Sequence, residues 1–222
     1  VEQPAKSQVD HEHRLKVARS HTAAHLLHWA LRQTLGPETV QAGSFVERER
    51  VRFDFSSLKG LHEEQRAHVE QLVNDRVMAS DAIRTDLMGV EEAKRHGALA
   101  LFGEKYGQQV RVVSIGDGYS SELCGGTHLR HTGSVGTFRI VGESSIAAGT
   151  RRVEALVGAA AAQRQQQDVQ ALGHVAHRLS RPPHEALQGL EELLAQLSQA
   201  EKQIKSLQLE LAQVRAKDLI AD

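Results

Sequence analysis

The chain has 222 residues, with 27 Lys+Arg against 28 Asp+Glu and a formal net charge of -1 with His neutral. That balance excludes a strongly basic protein held to nucleic acid by bulk charge, though not a local basic patch. A single cysteine excludes an intramolecular disulfide framework and fits a reducing, cytoplasmic compartment, and no run approaches the roughly 18 apolar residues of a membrane span.

The chain opens on Val-Glu-Gln-Pro, with neither Met nor an apolar leader, so a piece of a longer protein is expected. A helix is predicted from Asp10 to Leu35. Its apolar positions Leu15, Ala18, Leu26, Trp29 and Ala30 recur at roughly helical spacing, and Gly36-Pro37 ends it. Strand-like runs at Val40–Val46 and Val51–Phe55, separated by the polar turn 47–50, predict a hairpin. Leu61–Met78 reads as an amphipathic helix, Ala82–Leu87 as a strand and Val90–His96 as a short helix. Val110–Ile115, Gly136–Val141 and Arg152–Val157 are further strand candidates.

Composition changes after that point. The one Trp, two Tyr and five Phe all lie between Trp29 and Phe138, and glycine is reduced to Gly173 and Gly189 after Gly158. Leu, Ala, Gln, Glu and Lys remain, the residues of helices. The expectation is an α+β domain over residues 1–157, an antiparallel sheet with packed helices, followed by a long helical or coiled-coil extension over 158–222. Pro182-Pro183 divides the extension, because proline removes a donor and clashes with the preceding turn. Leu190, Leu197, Ile204 and Leu211 recur every seven residues, while Glu201 and Gln208 interrupt the companion line at Leu187 and Leu194. The stripe drifts, which fits either a helix packed on its own protein or a homodimer seam through 184–217.

The 13 histidines point to metal or proton chemistry. His21 and His25, four apart on a helix, share one face. Cys124-Gly-Gly-Thr-His128 follows far downstream, its glycines allowing a tight turn with backbone angles closed to other residues. Three imidazoles and a thiolate suit zinc, whereas magnesium and calcium prefer oxygen. His28 lies on the same face as a rival ligand, with packing or support of a ligand as its simpler role. A zinc protease would need Glu where Thr22 stands, and the deaminase pattern is absent. A Cys–His hydrolase with Cys124 as nucleophile stays open.

Several segments then fall into place together. They are 21–32 (His-Thr-Ala-Ala-His-Leu-Leu-His-Trp-Ala-Leu-Arg), 41–46 (Gln-Ala-Gly-Ser-Phe-Val) and 52–55 (Arg-Phe-Asp-Phe). They continue with 97–106 (Gly-Ala-Leu-Ala-Leu-Phe-Gly-Glu-Lys-Tyr), 122–128 (Glu-Leu-Cys-Gly-Gly-Thr-His) and 149–155 (Gly-Thr-Arg-Arg-Val-Glu-Ala). In this order they resemble the editing domain of alanyl-tRNA synthetase, a second additional domain shared with threonyl-tRNA synthetase and AlaX proteins. The tail is similar to the start of that enzyme's C-terminal helical linker, and the ligase domain is absent from this stretch.

The resemblance implies a hydrolase acting on the ester of Ser-tRNA(Ala) or Gly-tRNA(Ala). It implies a Zn2+ site at His21, His25, Cys124 and His128, with Gln41 and Thr22 as catalytic candidates. Arg151, Arg152, Lys105 and Arg130 are candidates for tRNA contact, and the remainder of the synthetase chain is an expected partner. A free-standing AlaX-type deacylase and a non-catalytic zinc-stabilised tRNA-binding or dimerising module are the alternatives.

Overall fold

The computed structural model describes residues 7–100 and 107–221, with backbone alone for 216–221. It divides into two compact units at Arg164/Gln165. In the first unit the order is α1 (His11–Leu35), β1 (Gln41–Glu47), β2 (Arg50–Ser56), α2 (Glu63–Ala79), β3 (Ile83–Gly89), α3 (Val90–Arg95), β4 (Gln109–Ile115) and β5 (Ser120–Leu123). A 3-10 turn (Thr132–Val135), β6 (Phe138–Ala147), β7 (Thr150–Val157) and the first turns of α4 (Gly158–Arg178) complete it. The expected α+β class holds. Its strands form two antiparallel sheets rather than one: a four-stranded sheet in the order β1-β2-β7-β6 and a three-stranded sheet in the order β3-β4-β5.

The four-stranded sheet shows the two-residue alternation of a half-buried surface. Phe53, Phe55, Val51, Val153, Ala155 and Val157 face inward and are buried. They pack with Leu26, Leu27 and Leu31 of α1 and with Val69, Val73 and Val77 of α2. Phe53 has no exposed surface, and truncating such a residue to Ala costs about 3–5 kcal/mol. On the opposite face, Arg152 pairs with Asp54 directly across from it and Arg50 pairs with Glu154, the cross-strand charge pairs that a solvated face tolerates.

α1 begins at Asp10, whose carboxylate accepts the His13 N–H at 3.0 Å, and stops at Gly36, whose φ of 118° opposes further helix. Its stretch from Ala18 to Leu31 is buried on most sides. The reason is that α1 touches β1, β2 and β7 of one sheet and β5 of the other. Ala23, Ala24 and Ala30 allow that close approach. A helix buried all round carries its polar residues inward as well, and Ser20, Thr22, His25 and His28 are all buried. α2 opens with a reciprocal cap between His62 and Gln65.

The second unit holds the rest of α4, a turn at Pro183–Glu185 and α5 (Ala186–Ala221). The proline break falls where the sequence predicts it. Ala176 and Ala186 are buried near the turn, while Leu190, Leu197, Ile204 and Leu211 stay 41–55% exposed. Among the described residues, no helix is long and apolar enough to cross a membrane.

Candidate metal centre

His21 and His25 lie one turn apart on α1, and Cys124 and His128 lie in the loop that leaves β5. The packing of β5 on α1 closes a gap of about a hundred residues in sequence. Cys124 Sγ stands 3.4 Å from His21 Nε2 and 3.3 Å from His128 Nε2. The ligating atoms of all four residues fall within 4.8 Å of one another. The two glycines between Cys124 and His128 act differently from expectation, since neither has a positive φ. Gly126 is required by close approach instead, because a Cβ there would lie 1.9 Å from Cε1 of His21. The loop backbone is pressed against a ligand ring, a cradle that any side chain would fill.

A second layer holds these side chains in place. Glu122, on β5 two residues before Cys124, is buried. Its Oε2 lies 3.1 Å from His25 Nδ1 and its Oε1 3.0 Å from His28 Nδ1, while His28 Nε2 lies 3.4 Å from the carbonyl of Thr39. His28 therefore faces Glu122 rather than the four donors. A carboxylate on one ring nitrogen leaves the other, in His25 Nε2, for an ion. Arg111 Nη1 donates to the carbonyls of Cys124 and Gly126, tying the loop to β4.

Electrostatics favour the metal-binding forms of Cys124 and His128 but not of His25. Burial would raise the Cys124 thiol, but hydrogen bonds with His128, His21 and His25 overcome it and bring it down to about 3. Burial lowers His128 to about 4 despite its hydrogen bond to Cys124. Thiolate and neutral imidazole are the forms that bind metal. Burial also opposes charge on His25 and Glu122. Their mutual attraction wins, helped by Cys124 for His25 and by His28 for Glu122, so the ring sits well above its ordinary range and the carboxyl well below.

Two cavities meet at the cluster. The smaller, about 50 Å³, is lined by His21, His25 and Cys124 together with Gln41, Ser44 and Glu122. Gln41 and Ser44 are three residues apart, and on a regular strand they would point to opposite faces. A β-bulge between Gln41 and Gly43 inserts one residue against β2, so both line one cavity. Gln41 Nε2 donates to Ser44 Oγ at 3.1 Å. The larger cavity, about 610 Å³, is lined by His128, Gly125 and Gly126 on one side and by Arg14, Arg111 and Arg130 among others.

The other candidates are placed as follows. Thr22 has no exposed surface; its Oγ1 accepts the Leu129 N–H at 3.2 Å and lies 3.4 Å from His128 Nδ1. It supports His128 from behind and lines neither cavity. Arg151 is held in a bidentate pair with Glu143 at 2.6 and 2.7 Å, and Arg152 in another with Asp54 at 2.7 and 2.8 Å. Both guanidinium groups are committed within the sheet. Arg130 is exposed beside the larger cavity. Lys105 lies outside the described residues.

Sequence reasoning missed Glu122, Ser44, Arg111 and Arg14. For Glu122 the signal was its two-residue spacing from Cys124, which places the two on one strand face, but Ser-Ser-Glu-Leu does not read as a strand.

Residues 110–154 match the family model described as the threonyl and alanyl tRNA synthetase second additional domain. Over 207 residues the chain is 48% identical to an alanine–tRNA ligase of Nitrosomonas eutropha, and over 216 residues 44% identical to one of Idiomarina loihiensis. The chain matches the second-additional-domain segment of alanine–tRNA ligases. These relatives uphold the resemblance read from the motifs. The alignments take in 93% and 97% of this chain but 24% and 25% of the two ligases, so the chain spans about a quarter of the length of the relatives it matches. The matched second additional domain carries Arg111, Glu122, Cys124 and His128, while His21 and His25 precede it on α1.

Proposed function

We propose that this chain is the editing segment of an alanine–tRNA ligase, hydrolysing the ester that joins serine or glycine to tRNA(Ala). The observation that carries the reading is the bulge in β1, which sets Gln41 and Ser44 on the same small cavity as three of the four metal donors. The donor set, the low thiol of Cys124 and the close backbone at Gly126 fit zinc, held by His21, His25, Cys124 and His128. Bound there, zinc would supply fixed positive charge and a template for the aminoacyl group.

The chain's own residues then do the selecting. Serine exceeds alanine by one hydroxyl, which a size filter rejects poorly. A site that must admit serine discriminates by rewarding that hydroxyl with a hydrogen bond. Gln41 and Ser44, already hydrogen-bonded to each other, are the groups positioned to give it, and a serine hydroxyl joining that pair would favour serine over alanine by about 0.5–1.5 kcal/mol. The cavity of about 50 Å³ admits a small side chain and little water with it. Glu122 and Thr22 act as positioning residues, fixing His25 and His128.

In this reading residues 1–157 form the zinc-binding editing domain and 158–222 a helical linker within a longer, cytoplasmic synthetase. Its partners are the tRNA acceptor end, the rest of that chain, and a second copy through 184–217. The length of the relatives favours such a segment over a free-standing AlaX-type deacylase.

The test is deacylation of Ser-, Gly- and Ala-tRNA(Ala) by this chain, with metal measured on the same sample. Loss of serine with alanine spared, at about one zinc per chain, supports the reading. Metal without hydrolysis leaves the non-catalytic binding module, and neither metal nor hydrolysis removes the zinc site.

A further inference from the structure

The larger cavity beside His128 is cationic and unclaimed. Arg14, Arg111 and Arg130 line it together with His11, and among the described residues no carboxylate shares the lining. Arg14 and Arg130 are exposed, and neither has a side-chain ion-pair partner among the described residues. Glu12, the acid nearest Arg14 in sequence, is taken by Lys16 at 2.8 Å. Arg111 spends its Nη1 on loop carbonyls, and among the described residues no carboxylate pairs with it. Leu15, Ala18 and Leu129 add an apolar floor. A volume of about 610 Å³ matches sites that enclose a sizeable ligand. In a chain of net charge -1 such a patch is local, not a by-product of overall basicity.

We propose that this groove holds the phosphodiester backbone of the 3′-terminal nucleotides of the RNA, leading the esterified end past His128 to the small cavity. The assignment rests on the editing reading for the nature of the RNA. Charge complementarity selects the occupant. Guanidinium groups bind phosphate oxygens bidentately, and the apolar floor offers a surface for ribose or base. The cluster borders both cavities through different members, His128 on the groove and His21, His25 and Cys124 on the small cavity. A backbone lying in the groove therefore ends beside the donors. Such binding is insensitive to base sequence and falls with salt. Arg151 and Arg152 are spoken for by Glu143 and Asp54, which moves the expected RNA contact to this groove.

The experiment measures binding of the metal-loaded full chain to an RNA hairpin with a short single-stranded 3′ end, by fluorescence anisotropy across a salt series. Arg14→Glu and Arg130→Glu should each weaken binding about tenfold and lower the log–log salt slope by about 0.7–1. Arg66→Glu, an exposed arginine on α2 outside the groove, makes the same charge change and should leave binding unaltered. Metal content and circular dichroism check the fold, and Arg14→Gln and Arg130→Gln repeat the test with a smaller change.

Unchanged binding in the groove variants overturns the proposal. So does an equal loss with Arg66→Glu, which would mean bulk charge, or equally tight binding of polyglutamate, which would mean an acidic-peptide site. Ester hydrolysis by the unmodified chain with KM unmoved in the groove variants removes the groove and leaves the editing reading. Salt-dependent binding that needs Arg14 and Arg130, without hydrolysis of any ester, keeps the groove and removes the editing reading.

Discussion

The metal centre and the α5 helix use sequence patterns in opposite ways. In α5 the pattern is local: leucines recur at seven-residue spacing along one helix, and the structure leaves Leu197, Ile204 and Leu211 more than half exposed. At the metal centre the local pattern is weak, yet packing joins residues 103 apart with Cys124 Sγ 3.4 Å from His21 Nε2. Periodicity announces a helix and the face it offers. Chemistry requires segments that only the tertiary fold brings together.

The sharpest way to break this comparison is to remove a donor. Cys124→Ser or His21→Ala should lower metal affinity by at least about 100-fold, read by competition titration, because the three remaining donors must share the tetrahedral set with a water. Ester hydrolysis should fall with it. If Cys124→Ser bound metal as tightly as the unmodified chain, the approach of Cys124 to the three histidines would be packing and nothing more.

Glu122 gives the next largest effect. Glu122→Gln keeps the shape but removes the charge that faces His25 and His28, and metal affinity should fall about 10- to 100-fold in a competition titration. The same pair sets a pH dependence. Without metal, the His25 ring keeps its proton at neutral pH, because Glu122 and Cys124 outweigh its burial. An ion must displace that proton, so affinity should rise with pH through the neutral range. Calorimetry in buffers of different ionisation enthalpy should show about one proton released per metal. An affinity independent of pH would contradict the charged His25.

Gln41 tests the cavity rather than the ion. Gln41→Ala should leave metal content unchanged while discrimination between seryl and alanyl esters falls, by about 0.5–1.5 kcal/mol in the ratio of kcat/KM values. An unaltered ratio would shift the reading of the hydroxyl to Ser44.

How much of this was legible before the fold was seen follows from the range of each signal. The helices expected at 10–35 and 61–78, the hairpin and the proline break are short-range features, legible in helical spacing, alternation and turn or breaker residues, and the structure places the helices at 11–35 and 63–79. Two sheets in place of one were not legible, since strand partners are chosen by packing. The four donors stood out as motifs, but their meeting was an inference from resemblance. Glu122 and Ser44 escaped for a shared physical reason. One sits on a four-residue strand of Ser-Ser-Glu-Leu, and the other reaches the cavity through a bulge that reverses the two-residue alternation. Gly126 was picked out for the wrong property, since its contact with His21 matters and its φ does not.

The smallest effect on the folded unit is expected in α5, where the comparison began. Leu197→Lys and Ile204→Lys exchange exposed apolar side chains for charged ones, and surface changes of this kind alter stability by about 0.5 kcal/mol or less. Metal content and hydrolysis should be untouched. If a second copy covers the leucine seam, the same substitutions desolvate charge at its centre, and sedimentation should show a dimer becoming a monomer. A monomer in the unmodified chain would end the dimer proposal. If the dimer forms, the same substitutions at Leu197 and Ile204 should change mass and leave metal content alone, the reverse of what Cys124→Ser and His21→Ala should do.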